Sequence, residues 1–204
     1  MADYGDAYIP RFDPPVNIAQ RFPKSFCKLL VSELASSAGV ESGVFGSGGF
    51  TKVDSYHRSS AAIMPTTETR LDAELLMTTA VDLFSVSVLA KRATLAEPIQ
   101  FLKYDSKKQG HFLAHTDNAY YDGHGVFQYT SPQRMLTCLV YLNEDYEGGE
   151  LIFNTVRDDS GHVIKLKPKT GELIIFPSDI RFMHEVLNVT MGQRYSIVGW
   201  YRLK

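Results

Sequence analysis

Met135-Leu136-Thr137-Cys138-Leu139-Val140-Tyr141-Leu142 is a short, almost wholly apolar run, and its neighbours repeat the texture. Ile99–Tyr104, His111–His115, Glu150–Phe153, Val163–Leu166, Glu172–Phe176 and Tyr195–Tyr201 are also short and apolar or alternating. Turn formers separate them, among them Gly148-Gly149, Asp159-Ser160-Gly161 and Pro177-Ser178-Asp179. Many short strands at such spacing predict a sandwich or jelly roll.

Upstream the texture differs. Phe22, Phe26, Leu29, Leu30, Leu34 and Ala38 keep helical spacing, which predicts a helix over 22–38. Leu71, Leu75, Leu76, Ala80, Leu83 and Phe84 predict a second over 67–91. Residues 1–21 show no steady period and read as an irregular arm, and the glycines of 39–49 read as loop and strand edges. The helices precede the strands rather than alternating with them, which argues against a parallel doubly wound sheet. The expected fold is mainly β with N-terminal helices around a double-stranded β-helix (jelly roll) core. One structural unit is expected, with 1–96 as arm, helices and supporting strands and 97–204 as the core.

Composition bounds the function. The 204 residues are 44% hydrophobic and 22% charged, an ordinary globular balance. A net charge of −2 without a dense Lys/Arg run disfavours nucleic acid as partner, a nucleic-acid demethylase included. Cys27 and Cys138 alone make no disulfide framework. Residues 1–15, MADYGDAYIPRFDPP, lack a basic start followed by an apolar stretch, so no signal peptide is expected. No apolar run reaches the ~18 residues of a membrane span, and a cytoplasmic protein is the default.

His115-Thr116-Asp117 carries the sharpest chemical signal. On a strand, residues two apart point to the same side, so an imidazole and a carboxylate would share one face. A third ligand would complete a two-histidine, one-carboxylate triad, the set that leaves positions open on Fe(II). His184 is the candidate, 69 residues on and returned across the sheet by the Pro-Ser-Asp turn. An isolated HxD also arises by chance. His111, four residues before His115, is a rival ligand, while His57, His124 and His162 read as surface or loop residues.

The surrounding order is more specific. Tyr104 through Asp117, the segment Thr137-Cys138-Leu139-Val140-Tyr141-Leu142-Asn143, and Gly148-Gly149-Glu150-Leu151 follow one another. Lys167 through Phe176 then precedes His184-Glu185-Val186, and Arg194 opens Arg194-Tyr195-Ser196-Ile197-Val198-Gly199-Trp200-Tyr201. This succession resembles prolyl 4-hydroxylase-type Fe(II)/2-oxoglutarate-dependent dioxygenases, which are similar to prolyl and lysyl hydroxylases, well over 97–204 and in outline before that.

The resemblance implies that His115, Asp117 and His184 bind Fe(II). It implies that Arg194 forks onto the distal carboxylate of 2-oxoglutarate, a task suited to its planar donors. Tyr141 would donate to the same carboxylate, Thr137 lies four residues earlier on its strand, and Tyr104 would line the co-substrate pocket. Read without the family, Tyr104 and Trp200 are equally strand or core aromatics, and Tyr141 has the same alternative with less weight. The implied reaction is hydroxylation of a prolyl-like or other amino-acid-derived substrate, free or peptidyl. It consumes O2 and converts 2-oxoglutarate to succinate and CO2, with ascorbate as an accessory reductant. Desaturation or cyclisation of a specialised metabolite would use the same triad. A non-enzymatic jelly-roll binding module is the contrasting class, and it would not need Arg194 and Tyr141. The aromatic-rich 118–131 segment reads either as a lid over the substrate or as packing at the barrel's end.

Overall fold

A computed structural model describes residues 17–45, 51–121 and 127–204 of the chain. Two antiparallel sheets face one another. In spatial order the larger comprises Asn17–Arg21, Glu172–Pro177, Leu136–Tyr141, Gln193–Leu203, Gln100–Asp105, Ala61–Ile63 and Val40–Glu41. Ala93–Leu95 joins it beside the far end of Gln193–Leu203. The smaller comprises Val163–Leu166, Leu151–Arg157, His184–Val186, His111–His115 and Arg58–Ser59. This is the expected jelly roll.

The period-two alternation of strand side chains divides the core in two. Phe101, Cys138, Ile175 and Ile197 of the large sheet face outward to the helices, where Leu30, Leu34 and Met77 cover them. Leu102, Leu139, Ile174 and Val198, their immediate neighbours, face inward to Leu151, Phe153 and Val186 of the small sheet. Leu136–Tyr141 and Glu172–Pro177 are buried on both faces, which is why they read as apolar runs rather than alternations.

The helices are α1, Lys24–Ala35, and α2, Thr67–Leu89. Helix α1 starts later than the pattern predicts because Phe22 donates its N–H to the carbonyl of Gly171, and Pro23 caps the helix. It ends early at Ser36 and Ser37, whose hydroxyls return to the carbonyls of Ser32 and Glu33. In α2 the Thr66 side chain accepts from the N–H of Thr69, and Ala90 closes the helix in the left-handed region at φ 53°. The face α2 buries is not the one its leucines suggest. Ala73, Met77, Ala80 and Val81 pack inward, whereas Leu71, Leu75 and Leu83 are exposed.

The irregular arm expected over 1–21 also needs correcting. Asn17–Arg21 is an edge strand antiparallel to Glu172–Pro177, a pairing with residues far along the chain that no local pattern announces. Residues 1–16 lie outside the described residues.

Gly171 locks this edge. Its φ is +85°, its N–H donates to the carbonyl of Tyr141, and an added Cβ would lie 2.4 Å from the carbonyl oxygen of Phe22. Gly161 has nearly the same φ, +84°, but open space around it. Both alanine variants bear the left-handed cost of about 1–2 kcal/mol, and only Gly171→Ala adds a backbone clash. Urea unfolding is expected to show Gly171→Ala less stable than Gly161→Ala by at least about 1 kcal/mol. Equal losses would mean that the Phe22–Gly171 approach relaxes freely.

Candidate functional site

His184–Val186 lies between Leu151–Arg157 and His111–His115 in the small sheet, and His184 is aligned with His115. Val186 is aligned with Phe112, so the His115 strand carries one extra residue in this interval. Three residues apart on a regular strand, Phe112 and His115 would face opposite sides. The slipped register turns them to the same side, where their rings stack at 3.5 Å.

Asp117 arrives differently from the expected strand alternation. The strand ends at His115, and the Thr116 hydroxyl donates to the carbonyl of Ala119 in the turn that follows. The N–H groups of Asp117 and Asn118 both donate to the carbonyl of Ser178. The turn carries the carboxylate back to the histidines, so that one ligand atom from each of His115, Asp117 and His184 lies within 4.8 Å of the others. His115 Nε2 is 3.9 Å from Asp117 Oδ1, and His184 Nε2 is 3.8 Å from Asp117 Oδ2.

Each ring is held by its other nitrogen. Nδ1 of His115 lies 2.8 Å from the carbonyl of Leu113, and Nδ1 of His184 lies 2.9 Å from that of Phe182. A carbonyl only accepts, so Nδ1 carries the proton and Nε2 keeps a free lone pair toward Asp117. Burial, reinforced by the neighbouring His184, pushes His115 down to about 3 and keeps it neutral. Burial alone would raise Asp117, but the two histidines and a hydrogen bond from Thr137 outweigh it and hold the carboxyl below its usual range. Two imidazole lone pairs and a carboxylate in one buried cluster suit a divalent transition metal.

The same core between the sheets holds a buried cation. Arg194 is 1% exposed, with its guanidinium carbon 4.6 Å from the ring centres of both Tyr104 and Tyr141. Among the described residues its Nε and Nη1 have no hydrogen-bond partner, and neither have the hydroxyls of Tyr141 and Tyr146. Burial pushes the Tyr141 hydroxyl up to about 12, against the opposing pull of Arg194, so it stays a neutral donor. Gly149, at φ +65°, passes so close that a Cβ would lie 3.2 Å from both Arg194 Cδ and Tyr146 Cε2. Several donors around a desolvated cation, with no acceptor supplied by the described residues, fit an anion with two oxygens, and a carboxylate matches the fork.

The structure thus brings His115, Asp117 and His184 together, and places Arg194, Tyr141 and Tyr104 together. Thr137 joins the first group, since its hydroxyl donates to Asp117 Oδ2 at 2.6 Å and contacts Ser178 Oγ at 2.8 Å. Thr137 shares its strand face with Tyr141 but sits four residues nearer the end where Asp117 arrives. His111 is removed from contention, with its ring nitrogens 2.8 and 2.9 Å from the carbonyls of Gln109 and Tyr56. Of the 118–131 segment, Ala119–Tyr121 pairs with Phe127–Tyr129, and 122–126 lie outside the described residues.

Sequence reasoning missed three contributors. Arg134 donates to the carbonyl of Asp117 at 3.0 Å, is gripped by both carboxylate oxygens of Glu97 at 2.6 and 2.7 Å, and stacks 3.7 Å from the centre of the Trp200 ring. Ser178 was read only as a turn residue. Tyr146, two residues before Gly148-Gly149, had the proximity to that motif as its one available signal.

The sequence model of the 2OG-Fe(II) oxygenase superfamily matches residues 99–202, just over half of the chain. The chain belongs to this superfamily. Iron(II), 2-oxoglutarate and O2 are the metal and co-substrates that the superfamily implies, and the histidine–aspartate cluster and the unpaired arginine fit them.

A PKHD-type hydroxylase of Crocosphaera subtropica is 35% identical over 102 residues, covering 50% of this chain and 41% of that protein. Prolyl 3-hydroxylase 2 of Rattus norvegicus is 37% identical over 93 residues, covering 44% of this chain and 13% of that protein. The chain therefore spans less than half the length of these relatives. A Trichoplax adhaerens prolyl hydroxylase, solved in complex with a hypoxia-inducible-factor peptide fragment, superposes with a TM-score of 0.67 at 19% identity, over 92% of this chain and 83% of that one. Among the described residues no helix is long and apolar enough to cross a membrane.

An apo-protein measurement tests whether Arg194 is there for a ligand. Replacing even a buried ion pair by apolar side chains of similar volume is often neutral or stabilising, by about 1–4 kcal/mol, and an unpaired buried charge has no Coulombic partner to lose. Arg194→Met, without co-substrate, is expected to unfold at or above the parent's midpoint. A fall of more than about 1 kcal/mol would make the arginine structural.

Proposed function

We propose that the protein is an Fe(II)/2-oxoglutarate-dependent dioxygenase that hydroxylates a prolyl-like or other amino-acid-derived carbon, free or within a peptide. The observation that carries this reading is the open His115–Asp117–His184 cluster together with the unpaired Arg194. The names of the relatives, PKHD-type and prolyl 3-hydroxylase, support the substrate class. The reading takes ascorbate as an accessory reductant and the cytoplasm as compartment, both from family resemblance and default rather than from geometry.

In this reading His115 and His184 present Nε2 to iron, fixed by the carbonyls of Leu113 and Phe182. Asp117 supplies the carboxylate, aimed by Thr137 and held at its backbone by Ser178 and Arg134. Arg194, with the hydroxyls of Tyr141 and Tyr146, orients the distal carboxylate of 2-oxoglutarate. Tyr104 forms the wall behind the guanidinium. With both bound, the centre would supply the superfamily's chemistry, in which O2 oxidises 2-oxoglutarate to succinate and CO2, one oxygen atom entering succinate and the other the substrate C–H bond. The chain's share is positioning and exclusion of water.

Mass spectrometry of reactions with iron(II), 2-oxoglutarate and air, against free amino acids and short proline-containing peptides, is expected to show a product heavier by one oxygen. Succinate formed with no oxygen added to any of these substrates would overturn the substrate class but not the cofactor class. His115→Ala, Asp117→Ala and His184→Ala are each expected to lose iron(II) binding and turnover while His111→Ala keeps both.

Arg194→Ala should weaken 2-oxoglutarate binding about ten- to 150-fold, from the roughly 1.5–3 kcal/mol of a hydrogen bond to a charged group. Iron(II) affinity should stay near the parent's. Tyr141→Phe and Tyr146→Phe should show smaller defects of the same kind. If Arg194→Ala bound 2-oxoglutarate like the parent, the anchor would lie elsewhere.

A further inference from the structure

Helix α2 is apolar on both sides, and in an unusual arrangement. The inner side is mostly of small residues, Ala73, Ala80 and Val81, with Met77, in the cluster beneath the large sheet. The large aliphatics lie outward, with Leu71 51%, Leu75 66%, Leu83 55% and Val86 44% exposed. At 3.6 residues per turn these four fall within an arc of roughly 120°. The solvent side of a surface helix ordinarily carries charge, so an aliphatic stripe that shares its arc with just two acids, Asp72 and the Arg92-paired Asp82, besides Glu68 at its start, marks a contact surface.

The ends of the stripe are oppositely charged. Exposed Glu68 and Asp72 at its start, and Lys91 just past its end, have no ion-pair partner among the described residues. Neighbouring charges are already matched, Arg70 with Glu74 and Arg92 with Asp82.

The spacing is symmetric. Leu75 and Leu83 stand four residues either side of Thr79, Leu71 and Val86 eight and seven away, and Glu68 and Lys91 eleven and twelve away. Turned end for end about Thr79, Leu75 meets Leu83 and Glu68 comes to Lys91, while Asp72 falls opposite Val86.

We propose that α2 is a homodimer interface, in which the helices of two copies of this chain pack antiparallel about a twofold axis at Thr79. An isologous contact requires this self-complementarity, because each patch must fit its own copy. The short Thr79 side chain lets the helices approach where they cross. A membrane surface is a poorer occupant, since Glu68 and Asp72 oppose anionic headgroups. A partner of one charge sign would match only one end. The interface lies on the outer, helix-covered face of the large sheet, whereas the His115–Asp117–His184 cluster lies between the sheets, so dimerisation leaves that cluster open.

Sedimentation velocity of the full chain over a concentration series is expected to show a monomer–dimer equilibrium. Leu75→Ser/Leu83→Ser should shift its midpoint by more than about a hundredfold, since four leucines leave the interface, with the circular dichroism spectrum of the parent retained. Glu68→Lys and Lys91→Glu should each weaken the dimer several-fold, because each sets like charges together at both ends. The two combined in one chain should restore it. A parent that stays monomeric throughout, or a dimer indifferent to the serine pair, overturns the interface. A combined variant no tighter than either single one overturns the antiparallel register even if the serine pair dissociates the dimer.

Discussion

The alignment of His184 with His115 across adjacent antiparallel strands is the constraint on which the rest of the site depends. Strand side chains alternate, so a one-residue slip would send one imidazole to the far face and disperse the cluster. The register is held from both sides, since His184 is also aligned with Phe153 on Leu151–Arg157. Phe153 and Phe176 then enclose the His184 ring at 5.8 and 5.0 Å between ring centres. The geometry of the cluster is therefore a consequence of sheet register and aromatic packing.

Asp117 depends on the opposite kind of contact. It lies past the end of its strand, where no ladder fixes it, and side chains from elsewhere do so instead. Thr137 reaches it from the large sheet, the Ser178 carbonyl takes two N–H groups of the turn, and Arg134 takes its carbonyl while Glu97 grips Arg134. Each such bond to a charged group is typically worth about 1.5–3 kcal/mol, comparable to burying a leucine. This end of the sandwich is thus closed by polar contacts, whereas its middle is closed by Leu151, Ile174 and Phe176.

What was legible in the sequence follows from this division. Strands buried on both faces, such as Leu136–Tyr141 and Glu172–Pro177, announce themselves as apolar runs, and the expected jelly roll rested on them. His115-Thr116-Asp117 was legible as a motif, although its strand-alternation rationale was not what the backbone does. Short strands with distant partners, Asn17–Arg21 and His184–Val186, were not legible, because three to five residues carry no period and the pairing is settled elsewhere in the chain. Arg134, Ser178 and Tyr146 were hidden for a related reason. Their roles lie in hydrogen-bond and ring geometry between segments far apart in sequence, and nothing in their spacing encodes it. The outward leucines of α2 were misleading in a definite way, since helical periodicity shows that a face exists but not which face meets the core.

Two places in the molecule break rules that the rest obeys, and they break them in opposite senses. Arg194 is a full charge in the interior without a counter-ion among the described residues, and α2 displays leucines to solvent while burying alanines. A chain that is locally consistent almost everywhere keeps such violations where something outside it completes the arrangement. The missing complement can be read from the sign of the violation. A buried unmatched cation needs an anion small enough to enter a closed pocket, which a dicarboxylate co-substrate provides. An exposed apolar stripe with opposite charges at its ends needs a surface of the same length and reversed polarity, which a second copy provides. The two needs are met on opposite faces of the large sheet, so filling one does not obstruct the other.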